Sequence, residues 1–362
     1  MNTDSIKKII FVTISMTGGG TERVIATLSN YWITNGKQVS ILMIGGDDIA
    51  YELNERIDVK SLSGATGGSL SARLSRITKL RQEFKENKDS VIIAMGTVAS
   101  MFASVAHYGL KNPLLLSERN DPNRLNHRPI KSHERTLRNI LYGKSKRVVF
   151  QTEMAKECFP EGIKKKSCII PNPLEDIPDT MDYISRDKKV ISAGRLTEQK
   201  NHKLLIDAFS LIHERFNDYE LVIYGEGEYK NVLKEYIDKK GAGEYIKLAG
   251  FSYKLRDILE MSRIYVSSSD WEGISNSLAE AMACGMAVIA TDCPMGGSAM
   301  LINDGINGRL VPVSDLKSIT QALKDLLADD EMAKKLSDNA RCIRKDLAVS
   351  EIARMWEKAA VD

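Results

Sequence analysis

Residues 267–291, SSSDWEGISNSLAEAMACGMAVIAT, constrain the fold of this chain more tightly than any other stretch. The apolar run at 264–266 reads as a buried strand and 267–275 as a Ser/Asp/Gly loop. Leu278, Ala281 and Met282 then form one face of a short helix, and 287–290 a second apolar strand. An open α/β sheet binds ligands beyond the carboxyl ends of its strands, so Glu272, in the loop, stands at the mouth of a site. A helix starting near Ser275 aims its first N–H groups at the same mouth, which suits a phosphate. Glu280 lies a little over one turn inside that helix, where a carboxylate reaches the two hydroxyls of a ribose. Two solvated acids on a surface helix would be the plainer reading of such a pair. Against it, Glu280 is flanked by Ala279, Ala281, Met282 and Ala283, too apolar a setting for an acid without a partner.

A second group of polar residues follows the strand expected at 188–193. Arg195 and Lys200 stand five positions apart before a helix, where Arg as a planar fork and Lys as a point charge would flank a diphosphate. An N-capping turn with solvated charges is the alternative. The strand at 220–224 ends in Gly225 and Glu226. In the first half, the strand at 8–14 leads into Gly18, Gly19 and Gly20, which let backbone approach a ligand closely. The pattern is not G-x-G-x-x-G, so a nicotinamide reading is weak. A short strand at 114–116 delivers Glu118, Arg119 and Asp121, which either position an acceptor or cap the next helix.

EGISNSLAEAMACGMAVIAT resembles the E-x7-E signature of retaining GT-B glycosyltransferases, specifically family 4, and GRL-x3-K at 194–200 matches a second signature of that family in the right order. Ile274 and Ser275 stand where the family usually has Phe-Gly or Met-Pro. The resemblance covers nearly the whole chain, most specifically 190–310. It implies an α/β protein of two Rossmann-like domains facing a central cleft. Residues 1–172 would be the acceptor side and 173–349 the nucleotide-sugar side, with a terminal helix at 350–362 packing back on the first. It implies catalytic roles for Glu272, Arg195 and Lys200. Donor contacts are implied from Gly18, Gly19, Gly20, Gly225, Glu226, Ser275, Asn276, Ser277 and Glu280, with residues 251–254 flanking the base. Acceptor contacts would come from Glu118, Arg119 and Asp121.

The activity implied is transfer of a hexose or N-acetylhexosamine, with retention, from a nucleoside-diphosphate sugar. UDP is the expected base. The acceptor would be a glycan, polyprenyl-diphosphate-linked among the alternatives, in surface polysaccharide synthesis. A nucleotide-sugar epimerase of the same fold and a non-catalytic nucleotide-sugar-binding protein are the other readings. D-x-D is absent, so no metal is expected, and no cofactor. Many members of the family carry a histidine in this part of the first domain. None lies in the SERNDP turn; His127 and His133 follow it.

At 362 residues, 43% hydrophobic and 27% charged, the chain suits a two-domain globular enzyme. Five scattered cysteines show no ligand spacing, which points to reduced thiols in a cytoplasm, with neither disulfides nor zinc. Only six apolar residues, 9–14, follow Lys7 and Lys8, so no signal peptide is expected. Residues 91–110 carry no Asp, Glu, Lys or Arg, yet a strand at 91–95 and a helix at 98–108 account for them better than a membrane span.

Charge is distributed unevenly. Residues 1–172 carry 26 Lys and Arg against 16 Asp and Glu, whereas 173–362 carry 25 against 32. The basic residues gather at Arg119, Arg124, Arg128, Lys131, Arg135, Arg138, Lys144, Lys146 and Arg147. Each alone would be a solvated surface charge; together they point to an anionic partner. An anionic membrane surface, worth roughly 1 kcal/mol per nearby cation, would place the protein peripherally on the inner face of the cytoplasmic membrane. No nucleic acid is expected, because no aromatic residues interleave the cluster.

Overall fold

Near-continuous apolar runs such as Val91–Met95 and Ala287–Thr291, buried at every residue, are what a sheet covered on both faces demands. The computed structural model describes residues 5–62, 70–125, 128–177 and 181–362. Contacts divide the chain into one unit of Met1–Glu175 with Leu347–Asp362 and another of Asp176–Asp346.

The first unit holds β1 (Lys8–Thr13), β2 (Gln38–Met43), β3 (Asp58–Ser61), β4 (Val91–Met95) and β5 (Leu114–Ser117). After these come β6 (Arg124–Leu125), β7 (Arg128–Pro129), β8 (Arg147–Phe150) and β9 (Ser167–Ile169). Its seven-stranded sheet runs β3-β2-β1-β4-β5-β8-β9 with every neighbour parallel, and β6 and β7 form a separate antiparallel pair. The sheet extends one strand past β8, because residues 167–169 pair with it before Pro171 and Pro173 intervene.

Right-handed crossovers put helices Leu70–Glu86, Thr97–His107 and Ser132–Tyr142 on one face of this sheet and Gly20–Thr34 on the other. Leu80, Phe84, Ala99, Ala103, Ala106 and Tyr142 pack with Ile10, Val12, Ile92 and Leu116 into one core. In helix Leu70–Glu86 the inward face is set by Ala72, Leu80 and Phe84. Leu74, apolar and at helical spacing from these residues, falls off that face and is exposed. The terminal helix Val349–Val361 lies on helix Gly20–Thr34, where Trp32 Nε1 donates to Glu357 at 2.8 Å.

The second unit holds β10 (Asp187–Ala193), β11 (Glu220–Tyr224), β12 (Ile246–Gly250), β13 (Ser262–Ser267), β14 (Ala287–Thr291) and β15 (Arg309–Val311). They form a parallel sheet in the order β12-β11-β10-β13-β14-β15. Strand order reverses between β10 and β13, which makes the carboxyl ends of those two strands the place where such a sheet opens to a ligand. Two helices, Asp330–Ala340 and Ile343–Asp346, follow one another with a break at 341–342. The break turns Arg344 so that its Nε reaches the carbonyl of Ala283 at 2.7 Å.

The turns after β10 and β11 are in backbone contact. Gly194 N donates to Tyr224 O at 3.0 Å and Leu196 N to Glu226 O at 2.9 Å. At Gly225, φ is +141° and a Cβ would lie 1.9 Å from the Gly194 carbonyl oxygen. Gly225→Ala is therefore expected to cost roughly 2 kcal/mol or more in chemical denaturation. Gly36→Ala, at φ +81° with nothing within 4 Å of its Cβ, should cost only about 1 kcal/mol.

His202 opens helix His202–Ser210, is 3% exposed, and neither of its ring nitrogens has a hydrogen-bond partner among the described residues. Burial, with Lys200 adding to it, pushes the imidazole down to about 3. The unfolded chain then binds a proton that the folded one excludes, so stability falls as pH drops from 6.5 towards 3. Between pH 7.5 and pH 5 the loss should be on the order of 2 kcal/mol, and His202→Leu should flatten that part of a denaturation-versus-pH curve.

Candidate active site

Two loops meet at the opening between β10 and β13. One is 194–201 and the other 268–275, and four hydrogen bonds join them before any charge is considered. Asp270 N donates to Gln199 O at 2.9 Å, Gln199 Nε2 to Trp271 O at 2.6 Å, Ser268 Oγ to Lys200 O at 2.9 Å, and Asn201 Nδ2 to Asp270 Oδ1 at 3.0 Å. Asn201 sits at φ +42° and its side chain caps the helix that begins at His202. Such left-handed geometry suits Asn, whose short amide bonds locally.

Across this seam Lys200 Nζ lies 2.6 Å from Glu272 Oε1, with the side chains 13% and 18% exposed. Ser269 Oγ donates to the other Glu272 oxygen at 2.9 Å. The lysine stem runs past Gly194, where a Cβ would come within 2.8 Å of Lys200 Cε. From the far side, Gly297 lies so close that its Cβ would meet the Gly273 carbonyl at 1.9 Å, and Thr291 Oγ1 donates to Ser269 O at 2.5 Å. Both carboxylate oxygens of Glu272 are thus fixed, and the loop has no room to slide. Arg195 is exposed, and its guanidinium makes no ion pair among the described residues.

Helix Asn276–Ala283 carries Glu280, which is 6% exposed. Its start is tied to β10: Ser277 Oγ donates to Ala193 O at 3.0 Å, and the buried Tyr265 hydroxyl lies 2.7 Å from Ser277 Oγ. Burial raises the Tyr265 phenol, which keeps it a donor. The Ser277 hydroxyl is turned inward, so what this residue offers a ligand is its main chain. Ser275 is the N-cap residue, and its Oγ is 3.3 Å from that of Ser277.

The other end of the helix is held by cations. Arg186 donates to the carbonyls of Cys284 at 2.8 Å and Gly285 at 2.7 Å, Arg344 to that of Ala283 at 2.7 Å, and Ser337 to that of Gly285 at 2.6 Å. Two guanidiniums at the carboxyl end complement the helix dipole and hold its amino end at the mouth. Gly225 is locked against Gly194, while Glu226 is exposed and bonded to Lys230 at 2.8 Å. Phe251 and Tyr253, at the end of β12, are exposed and meet edge to face at 4.9 Å.

In the first unit, Gly18 takes φ +104° and Gly19 is the N-cap of helix Gly20–Thr34, its carbonyl accepting from Tyr51 at 3.0 Å. Glu118, 2% exposed, follows β5. Its oxygens accept from Tyr142 and from Thr97 at 3.0 Å. Burial pushes its carboxyl up, against the pull of Arg138. It is an internal brace, neither a surface contact nor a helix cap. Arg119 donates to Asn172, and burial draws its guanidinium down to about 9. Asp121 accepts from the Asn123 N–H at 2.8 Å and closes a local turn, not the helix at 132. His133 is exposed, and His127 lies outside the described residues.

The braces escaped the sequence reading. Ser269, Asn201 and Asp270 sit in a serine-rich run and a turn that carry no periodicity, and Thr291 ends a strand whose apolar pattern says nothing of its hydroxyl.

Comparison with known proteins agrees with this fold. Residues 18–176 match the family described as Glycosyltransferase Family 4, and residues 181–342 match Glycosyl transferases group 1. An uncharacterized glycosyltransferase of Haemophilus influenzae is 25% identical over 97% of this chain and 99% of its own length. In Campylobacter jejuni, N-acetylgalactosamine-N,N'-diacetylbacillosaminyl-diphospho-undecaprenol 4-alpha-N-acetylgalactosaminyltransferase is 29% identical over 96% of this chain and 98% of its own. The crystal structure of Anabaena HepE in complex with UDP and glucose superposes with a TM-score of 0.81 at 17% identity, covering 98% of both chains, and so shares the fold. With two parallel α/β units, a family 4 first half and a group 1 second half, the chain belongs to the GT-B glycosyltransferases of family 4 and is a transferase enzyme.

Proposed function

We propose that this enzyme moves a hexose or N-acetylhexosamine from a UDP-sugar to a glycan acceptor, with retention at the anomeric carbon, in the assembly of a bacterial surface polysaccharide. The observation that carries the reading is the Lys200–Glu272 pair at the switch point of the second sheet, beside the start of helix Asn276–Ala283. In this reading Lys200 and Arg195 take the diphosphate, together with main-chain N–H groups of residues 275–277. Glu280 accepts from the ribose hydroxyls and Glu272 from those of the donor sugar. Gly18, Gly19, Gly20, Gly225 and Glu226 are the remaining donor-side candidates.

As the bond from the anomeric carbon to the β-phosphate oxygen breaks, negative charge grows on that oxygen. The cation that meets it is already held in place, so little reorganisation is needed. The acceptor oxygen bonds to the anomeric carbon on the face the phosphate leaves, and its proton departs with the phosphate oxygen. Fixed cations take the place of a metal in this scheme. Arg119 and Asp121 border the acceptor in the first unit, with Glu118 bracing their turn from inside. A polyprenyl-diphosphate-linked acceptor is favoured by the activity for which the Campylobacter relative is named. The basic excess of residues 1–172 favours an anionic membrane surface as the working environment.

Thermal unfolding against a panel of UDP-, GDP- and ADP-sugars, with and without EDTA, tests this reading. One UDP-sugar should raise the melting temperature, by about 2.7 kcal/mol of stabilisation at one hundred times its Kd. The shift should be indifferent to EDTA and absent in Glu280→Ala. Arg195→Ala and Lys200→Ala should melt like the parent yet turn over roughly 10²–10³ times more slowly. A well-folded protein that no nucleotide sugar stabilises, or a Lys200→Ala enzyme of full activity, would overturn it.

A further inference from the structure

Among the described residues only two besides glycine take a positive φ, Asn201 at +42° and Ser314 at +55°. Such backbone is strained for a residue with a Cβ, persists only where its surroundings hold it, and gathers at functional sites. The two lie in different turns, after β10 and after β15, yet both donate to the same atom. Asn201 Nδ2 reaches Asp270 Oδ1 at 3.0 Å, and Ser314 Oγ reaches it at 2.8 Å. Asp270 itself belongs to the loop after β13, two residues before Glu272. One carboxylate oxygen thereby joins turns from three strands, although β14 stands between β13 and β15 in the sheet.

The main chain of Asp270 adds a further bond, donating to Gln199 O at 2.9 Å. Lys200 is thus held between two residues, Gln199 and Asn201, that both bond Asp270. Its ion-pair partner Glu272, at 2.6 Å, follows Asp270 in the same loop. The Asn201 amide is used at both ends: its oxygen accepts from Leu204 N at 3.4 Å while its nitrogen donates to Asp270, which fixes how the side chain is turned. A carboxylate only accepts, so it takes bonds from an amide and a hydroxyl together, and its charge strengthens both. At Ser314 a glycine would adopt the same φ without strain, so what the serine adds is its hydroxyl.

We infer that Asp270 is a positioning residue for sugar transfer: it is the clamp that sets the register at which Lys200 meets Glu272, with Asn201 and Ser314 as its two arms. The inference deepens the donor-site reading of that pair and rests on it. Lys200 meets charge that grows only as the bond to phosphate breaks. Loosening the clamp should therefore lower kcat and leave the KM for the donor nearly unchanged.

Two measurements on the full-length protein test it. The first is UDP release, with water as acceptor, from whichever of UDP-glucose, UDP-galactose and their N-acetylated forms stabilises the parent. Asp270→Ala should lower kcat roughly tenfold or more, and Asp270→Asn, which keeps an acceptor oxygen, should recover most of the loss. Ser314→Ala and Ser314→Gly should lower kcat equally, since both lack the hydroxyl, while the alanine variant, still strained, should melt below the glycine variant. The second measurement needs no donor. The coupling between Lys200→Met and Glu272→Gln in chemical denaturation should fall by roughly half or more once residue 270 is alanine. Parent-like kcat in Asp270→Ala, a loss confined to the donor KM, no recovery in Asp270→Asn, activity that follows melting temperature across the two Ser314 variants, or an unchanged coupling would each overturn the inference. If the coupling falls as expected while no nucleotide sugar stabilises the parent, the clamp on the ion pair stands and the donor reading falls.

Discussion

Lys200 and Glu272 hold together the ends of the two strands between which the second sheet reverses its order. A half-buried ion pair pays for its lost hydration only when the remaining hydrogen-bonding capacity is met. Here Ser269 satisfies the second oxygen of Glu272. Gly194 leaves the lysine a path, and the turn carrying Gly194 is itself wedged against Gly225. The spacing in Gly194-Arg195-x4-Lys200 therefore has a steric cause as well as a chemical one. Glycine makes room at the strand end, and a lysine one turn later comes back over it to reach the opposite loop.

The helix after Glu272 is anchored at both ends. Arg186 and Arg344 hold its last carbonyls, while Ser277 and Tyr265 bind its start to the end of β10. A helix so fixed directs its amino end at one point in space, which is what a diphosphate site requires. The arginine grip also explains why the chain breaks its helix at 341–342: an unbroken helix would carry Arg344 away from Ala283. The first unit shows the same economy around Glu118, where Thr97 from one helix and Arg138 and Tyr142 from another converge on one buried carboxylate.

Much of this was legible in the sequence because the strands are apolar runs of ordinary length and the signature residues fall at strand ends. Glu272, Glu280, Arg195 and Lys200 could be picked out by type and spacing alone. Three things could not. Leu74 carries the right residue type at helical spacing, but Ala72, Leu80 and Phe84 set the inward face. Strand β9 is only three residues long, too short for alternation or composition to register beside Pro171. The bracing hydrogen bonds of Asn201 with Asp270 and of the Thr291 hydroxyl link residues 69 apart in one case and 22 in the other. No local pattern encodes them. Ser277 shows the same limit from the other side, since its residue type suits a phosphate contact while its hydroxyl is spent on Ala193.

The most direct test of the account is a crystal structure of the enzyme with a bound UDP-sugar, or with UDP. The diphosphate should lie against Lys200 and Arg195 at the start of helix Asn276–Ala283, with the ribose hydroxyls on Glu280. A nucleotide bound anywhere else, above all one leaving the Lys200–Glu272 pair without contact to phosphate or sugar, would contradict the claim that this ion pair organises the active site.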